Sequence, residues 1–215
     1  DGKSAVSTLT PQEFSRQVLR QLFIMNFINP IWADAFRVGS AISLKTSDQA
    51  PVKEIALLSE MTNASSELVE KACSSGLLAV YRAAQSIWHE GADFAVGGGM
   101  DMMSQDEERT KRALTCRFSG KLMYQLADEY AEDNGISQNE HNKYAIESYR
   151  RAKENLYGCG SFVTSVIIPG QEQFLLNFDE IPNEPAIYKL IRGCKTLTYA
   201  ASSKYADGVA FIALA

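Results

Sequence analysis

Apolar residues along the first hundred positions alternate between helical spacing and short unbroken runs. Thr10-Pro11-Gln12-Glu13 forms a capping box with Pro in the first helical position and opens a helix. Phe14, Val18, Leu22 and Met25 mark its expected buried face. Residues 34–43 predict a strand entering a loop, 51–61 a helix and 67–73 a short strand. Residues 74–90 predict a second amphipathic helix, with Leu77, Val80, Tyr81, Ala84, Ile87 and Trp88 on one side. Residues 93–97 read as a buried apolar strand. This β-α-β-α-β order predicts a mostly parallel sheet with helices on its faces.

After Ser104 the pattern changes. Residues 105–112 are nearly all polar and read as a solvated loop. A helix follows over roughly 119–134, with Leu122, Met123, Leu126, Ala127 and Tyr130 on one side. Ser137-Gln138-Asn139-Glu140 is a second capping box, and its helix runs to about Tyr157 before Gly158 and Gly160. Residues 161–168 read as a strand ended by Pro169-Gly170. The segment 171–195 carries Pro182 and Pro185 and predicts irregular chain with a short helix near 185–192. Residues 207–215 read as a buried apolar strand.

A chain of 215 residues can bury one good core or two small ones. Its net charge of −5 argues against a general nucleic-acid binder. No run of about 18 apolar residues occurs, so no membrane insertion is expected. The start, DGKSAVSTLT, has no apolar core of a signal peptide and no initiator Met, which fits a processed chain or a fragment. Cys73, Cys116, Cys159 and Cys194 are widely separated, with no CxxC pair. That spacing fits free thiols in a reducing intracellular compartment, and neither a disulfide framework nor a metal site.

Cys73 carries the most chemistry. It stands in Ala72-Cys73-Ser74-Ser75-Gly76, where the predicted strand runs into the predicted helix. Free backbone N–H groups and the positive end of a helix dipole meet there, and both favour a nucleophilic thiolate. The small residues that follow leave room for a substrate carbonyl. A buried structural cysteine is the competing reading.

Three motifs share an order with one known family. Ala72–Val80 around Cys73 is followed by Gly97-Gly98-Gly99-Met100-Asp101-Met102-Met103-Ser104. Ala127-Asp128-Glu129-Tyr130-Ala131, Gly135-Ile136-Ser137 and Tyr144–Ala152 come next, and then Thr196-Leu197-Thr198-Tyr199-Ala200-Ala201-Ser202-Ser203-Lys204-Tyr205-Ala206-Asp207-Gly208. Together they resemble the thiolases. The resemblance implies an α/β fold: a thiolase-like N-terminal half, a mostly parallel sheet flanked by helices, with an inserted, mainly helical loop domain. It implies boundaries at 1–104, 105–195 and 196–215, with the family's C-terminal half absent.

The resemblance also implies acyl transfer on coenzyme A thioesters. Cys73 would take the acyl group in thiolysis of a 3-ketoacyl-CoA or in Claisen condensation of acetyl-CoA. Met123 and Ser203 match family positions beside the coenzyme A substrate. Acyl-CoA and CoA would be the partners, with no further cofactor and no metal. A homodimer or homotetramer is expected, joined through the apolar, glycine-rich run Ala92–Met103. The compartment could be cytoplasm, mitochondrion or peroxisome.

The sequence departs from the family at several points. Asp101 replaces a Glu, and Leu122-Met123-Tyr124 stands where the family has His-Met-Gly. Pro182-Asn183, after Asp179-Glu180, replaces Pro-Arg. Ala201, Lys204 and Ala206 replace Asn, Gly and Asn. The family's general base comes from its other half, and His89 and His141 read here as surface or packing residues. Arg109, Lys111, Arg112, Arg117 and Lys121 could meet CoA phosphates, although a solvated face is the better explanation. A thiolase-like protein that binds without catalysing is the alternative function.

Overall fold

The computed structural model describes residues 5–44, 50–155, 163–170 and 189–215. The chain divides into two compact units. The first comprises Asp1–Glu107, Ser165–Leu175 and Ala206–Ala215, and the second comprises Glu108–Thr164 and Leu176–Tyr205.

The first unit is a four-stranded sheet with helices against it. Helix α1 (Pro11–Met25) is capped by Thr10, whose hydroxyl accepts the Glu13 N–H at 3.1 Å. The Glu13 carboxylate accepts from Arg16 and Gln17 instead of closing the box on Thr10. The buried residues of α1 are Phe14, Ser15, Leu19 and Phe23, so the expected Phe14–Val18–Leu22–Met25 stripe is rotated by about one position. Residues 22–25 are all apolar, and so wide a stripe does not fix which residue points inward.

Strand β1 (Ala35–Gly39) is followed by α2 (Pro51–Leu58), β2 (Ser65–Val69), α3 (Ser75–His89) and β3 (Ala95–Met102). Strand β4 (Asp207–Leu214) closes the unit. The strand order is β2-β1-β3-β4. β1 is parallel to both β2 and β3, and β4 is antiparallel to β3. The expected mostly parallel sheet is therefore present. β2 ends at Val69 rather than 73, because residues 70–74 turn into α3. β4 is an edge strand with alternating exposure rather than a fully buried run. Residues 163–168, expected as strand, have no regular structure, although Val166 and Ile168 are buried and Gln17 bonds both backbone groups of Ile167.

The largest correction concerns α3. Its buried residues are Ser75, Ala79, Ala83 and Ser86, all small. The large residues of the expected inner face lie outside: Leu77 is 76% exposed, Tyr81 52% and Trp88 64%. The sheet explains the inversion. A Cβ on Gly39 would lie 2.2 Å from the Ser75 carbonyl carbon, one on Gly97 2.9 Å from Ala83 Cβ, and one on Gly99 3.0 Å from Gly76 Cα. Helix and sheet touch backbone to backbone, so only small residues fit between them. Gly97 and Gly99 of β3 serve this contact. β3 is an interior strand, paired on both sides and largely buried, so it does not supply the expected interface between copies.

On the other side of the pleat, Phe36 meets Phe211 with ring centroids 5.6 Å apart. Gly98 makes room there, since its Cβ would lie 2.5 Å from Phe211 Cδ1. Buried Arg37, on the α3 side, donates to the Ser65 carbonyl and the Ser86 hydroxyl, and pairs with Glu67 and Glu90. It thereby ties β1 to β2 and to the end of α3.

The second unit is mainly helical. The polar run expected as a loop forms α4 (Glu107–Ala113), with Thr110 fully buried. Helix α5 (Met123–Asp133) buries Asp128 and Ala131 rather than the expected Leu122–Met123–Leu126–Ala127–Tyr130 face. Helix α6 (Gln138–Glu154) opens with the expected Ser137–Glu140 capping box. Residues 189–192 are not helical, and the rest of that expected helix, with Tyr157, Gly158, Cys159, Gly160, Asp179, Glu180, Pro182, Asn183 and Pro185, lies outside the described residues.

The buried Asp128 carboxylate organises this unit. It accepts the N–H groups of Lys195, Thr196 and Leu197 at 2.8, 2.9 and 3.0 Å, and the Thr196 hydroxyl at 2.7 Å. Burial pushes the Asp128 pKa up, but these donors outweigh it and hold it down at about 2.

Two outcomes follow. Gly39→Ala drives a methyl into the backbone of Ser75, and should cost about 3 kcal/mol or more. Both tryptophans, Trp32 and Trp88, lie in the first unit, so urea denaturation followed by their fluorescence reads this loss. Native-like stability of G39A would contradict the contact. Asp128 has a folded pKa of about 2 against an ordinary 3.8, so its stabilisation is complete above about pH 4 and disappears as pH falls through about 2. Asp128→Asn should speed hydrogen exchange at Lys195, Thr196 and Leu197 at neutral pH and flatten the acid dependence of that exchange. An unchanged acid limb would assign it to other groups.

Candidate active site

The strand order reverses direction at β1 in the first unit. From central β1 the chain moves outward to β2 through α2, then crosses to β3 on the other side through α3. In such sheets, ligands bind at the carboxyl ends of the strands where the order reverses. Three segments meet there: the loop after β1 (Ser40–Leu44), the turn after β2 (residues 70–74), and Asp101 near the end of β3.

Cys73 sits in that turn, exposed and unpaired, one residue before the helix cap Ser74. The backbone beneath it is unusual. Ala72 has φ of +47°, a left-handed conformation that costs a non-glycine residue about 1 kcal/mol. The Ser75 hydroxyl accepts the Lys71 N–H at 2.8 Å and donates to the Ala72 carbonyl at 2.6 Å. The Ser75 N–H donates to the same carbonyl. Bonds of about 1 kcal/mol each are enough to offset the strain. Ser74 does not cap α3 with its side chain; its hydroxyl donates back to the Lys71 carbonyl at 2.9 Å. The first-turn N–H groups of α3 beside Cys73 thus have no side-chain cap, the setting in which helix N-termini hold anions.

Asp101 anchors the neighbouring loop. Its carboxylate accepts the N–H groups of Ala41, Ile42 and Ser43 at 2.8, 2.9 and 2.8 Å, and the Ser40 hydroxyl at 2.9 Å. Ser43 in turn accepts the Met102 N–H at 2.6 Å. The Asp that stands where the family has Glu is therefore fully engaged.

Met123 and Ser203 belong to the second unit. Met123 opens α5 and is 43% exposed, and Ser203 is exposed just after a single 3-10 turn at Tyr199–Ala201. Their neighbours Tyr124 and Ala201 pack on one small cluster of Ile191, Cys194 and Leu197. The Asp128 bonds fix the start of the segment that leads to Ser203.

The other candidates divide. His89 ends α3, 14 residues beyond its start and so about 21 Å from the Cys73 end, with its ring against Trp88. His141 lies in the first turn of α6, with Nε2 buried and without a partner. Lys121 is engaged by Glu129 at 2.6 Å, and Lys111 and Arg112 lie in the last turn of α4. The Cys116 thiol is pulled below its ordinary pKa by the Ser119 hydroxyl and by the N–H groups of Ser119 and Phe118, whereas burial pushes the Cys194 thiol up. No helix among the described residues is long and apolar enough to cross a membrane.

Sequence reading located Cys73 but missed Ala72 and the role of Ser75. A left-handed alanine has no composition signal. The Ser-Ser-Gly after Cys73 registers only as small residues, although serine at a helix start commonly bonds nearby backbone.

Comparison with known proteins identifies the family and the fold. The family described as "Thiolase, N-terminal domain" matches residues 2–113, just over half of the chain. A probable acetyl-CoA acetyltransferase of Dictyostelium discoideum is 27% identical over 98% of this chain and 58% of its own length. The mitochondrial acetyl-CoA acetyltransferase of Rattus norvegicus is 27% identical over 77% of this chain and 46% of its own. The crystal structure of the Bacillus anthracis acetyl-CoA acetyltransferase superposes with a TM-score of 0.70 at 20% identity, over 79% of this chain and 48% of that one, and shares its fold. The chain thus spans about half the length of the relatives it matches. By its matching domain and its sheet, this chain belongs to the thiolase family.

Proposed function

We propose that this chain contributes the nucleophile of a thiolase-type acyltransferase, with Cys73 accepting an acyl group from a coenzyme A thioester. One observation supports this most: an exposed cysteine on a strained turn, at the strand-order reversal, directly before a helix start without a side-chain cap. The Cys73 thiolate attacks the thioester carbonyl. A carbon–sulfur bond forms to Cys73, the bond to the CoA sulfur breaks, and the CoA thiolate leaves and takes up a proton. Helix-start N–H groups are suited to the oxyanion that forms between these events.

In the same reading, a 3-ketoacyl-CoA is attacked at its C3 carbonyl. The bond between C2 and C3 breaks, the acyl group stays on Cys73, and the electron pair leaves on C2 as the acetyl-CoA enolate, which takes up a proton there to become acetyl-CoA; condensation is the reverse. Met123 and Ser203 would lie along the coenzyme A substrate. A homodimer or homotetramer is part of the reading, with its contact outside β3, and light scattering at micromolar concentration tests it: a clean monomer removes this part.

Among the described residues of the first unit, no histidine stands near Cys73. Without a base, nucleophilic catalysis drops by several orders of magnitude. The 215-residue chain incubated with acetyl-CoA or acetoacetyl-CoA should therefore gain one acetyl group slowly, without repeated turnover. Intact-mass spectrometry reads the adduct, and Cys73→Ser should abolish it. No adduct under any condition would favour a thiolase-like protein that binds without catalysing.

A further inference from the structure

Ser75 is the one fully bonded hydroxyl beneath Cys73, and the acyl-transfer reading leaves it without a role. It is 3% exposed, yet it touches no core side chain through a polar atom. Both of its side-chain hydrogen bonds run backward, around Cys73, to the two residues before it. Ala72, between those bonds, is exposed, so no packing holds it at φ +47°. Its own carbonyl is held by the hydroxyl and the N–H of Ser75, while the Lys71 carbonyl before it accepts the N–H and the hydroxyl of Ser74. Ser75 is itself closely hemmed in. Its carbonyl lies against Gly39, where a Cβ would come within 2.3 Å of the oxygen.

We propose that Ser75 is a positioning residue for Cys73: anchored on β1 through Gly39, it holds Ala72 in the left-handed conformation and thereby turns the Cys73 side chain out of the strand direction into solvent. Loss of the hydroxyl frees Ala72 to relax toward ordinary backbone. Cys73 then swings from the edge of the helix start, where a thiolate is favoured and accessible. This rests on the reading of Cys73 as the nucleophile, but it does not depend on coenzyme A.

The test uses iodoacetamide, whose carbon is attacked by the Cys73 sulfur with loss of iodide, followed by peptide mapping to separate Cys73 from the other three thiols. Ser75→Ala should slow Cys73 labelling about tenfold, with the labelling of Cys116 unchanged as internal reference. Ala72→Gly combined with Ser75→Ala should return the rate to within about threefold of the native chain, because glycine adopts φ > 0 without support. A merely structural serine would not be rescued this way. Ala72→Val covers the case in which Ser75→Ala does not fold. Position 72 is exposed, so the core is untouched, yet a β-branched residue strongly disfavours φ > 0 and labelling should slow by a similar factor. Labelling of Cys73 within twofold of native in the folded single variants overturns the proposal, as does a Ser75→Ala defect that Ala72→Gly leaves unrepaired. If these rates behave as expected while acetyl-CoA leaves no adduct on Cys73, the acyl-transfer reading fails and the positioning role stands.

Discussion

The first unit depends on the backbone contact between α3 and the sheet. Gly39, Gly97 and Gly99 strip three adjacent positions of side chains, and Gly76, Ala79 and Ala83 answer them from the helix. At such a distance dispersion between main chains replaces interdigitated side chains, and any added methyl meets backbone that cannot move aside. The contact also fixes the helix start to within an ångström or so. The turn that carries Cys73 rests on that start, so precision at the nucleophile comes from residues that have no functional group.

A second device recurs in both units. Asp101 and Asp128 each accept three consecutive backbone N–H groups and one hydroxyl from a distant segment. A carboxylate so surrounded needs no cation. Each reaches from a regular element to an irregular segment, and each ties that segment down with four charge-assisted hydrogen bonds. In the first unit that segment also bonds the end of β2 through the Ser40 N–H and the Val69 carbonyl; in the second it leads to Ser203.

Element order was legible because periodicity changes sharply from helix to strand between residues 11 and 102, and because Thr10 and Ser137 are unambiguous caps. The orientation of α3 was not. Its apolar stripe of Leu77, Tyr81 and Trp88 is stronger than its buried stripe of Ser75, Ala79, Ala83 and Ser86, so reading by hydrophobicity selects the wrong face. The glycines that reverse the choice lie on other strands, and only their pairing reveals that they are in register. Helix α4 was missed for a similar reason, since six of its seven residues are polar or charged and one buried Thr110 marks its inner side. At the site, Cys73 was visible as a residue type in a setting. Ala72 was not, because its distinguishing property is a dihedral angle.

The pairing of β3 with β4 makes the long segment between them the loop of a β-hairpin. Met102 opposes Asp207 in register, and Ser104 closes the neck by donating its N–H and hydroxyl to the Asp207 carboxylate. Closing a featureless loop of that length would cost about 4 kcal/mol in chain entropy. Most of that segment folds into the second unit and Ser165–Leu175 belongs to the first, so it has already given up most of that freedom, and strand pairing and insert folding reinforce one another. The parallel core from β1 to β3 is contiguous in sequence and can assemble early. β4 must wait for the insert, which makes this edge strand, unlike the edge strand β2, the last piece of the sheet to gain protection as the chain leaves the ribosome.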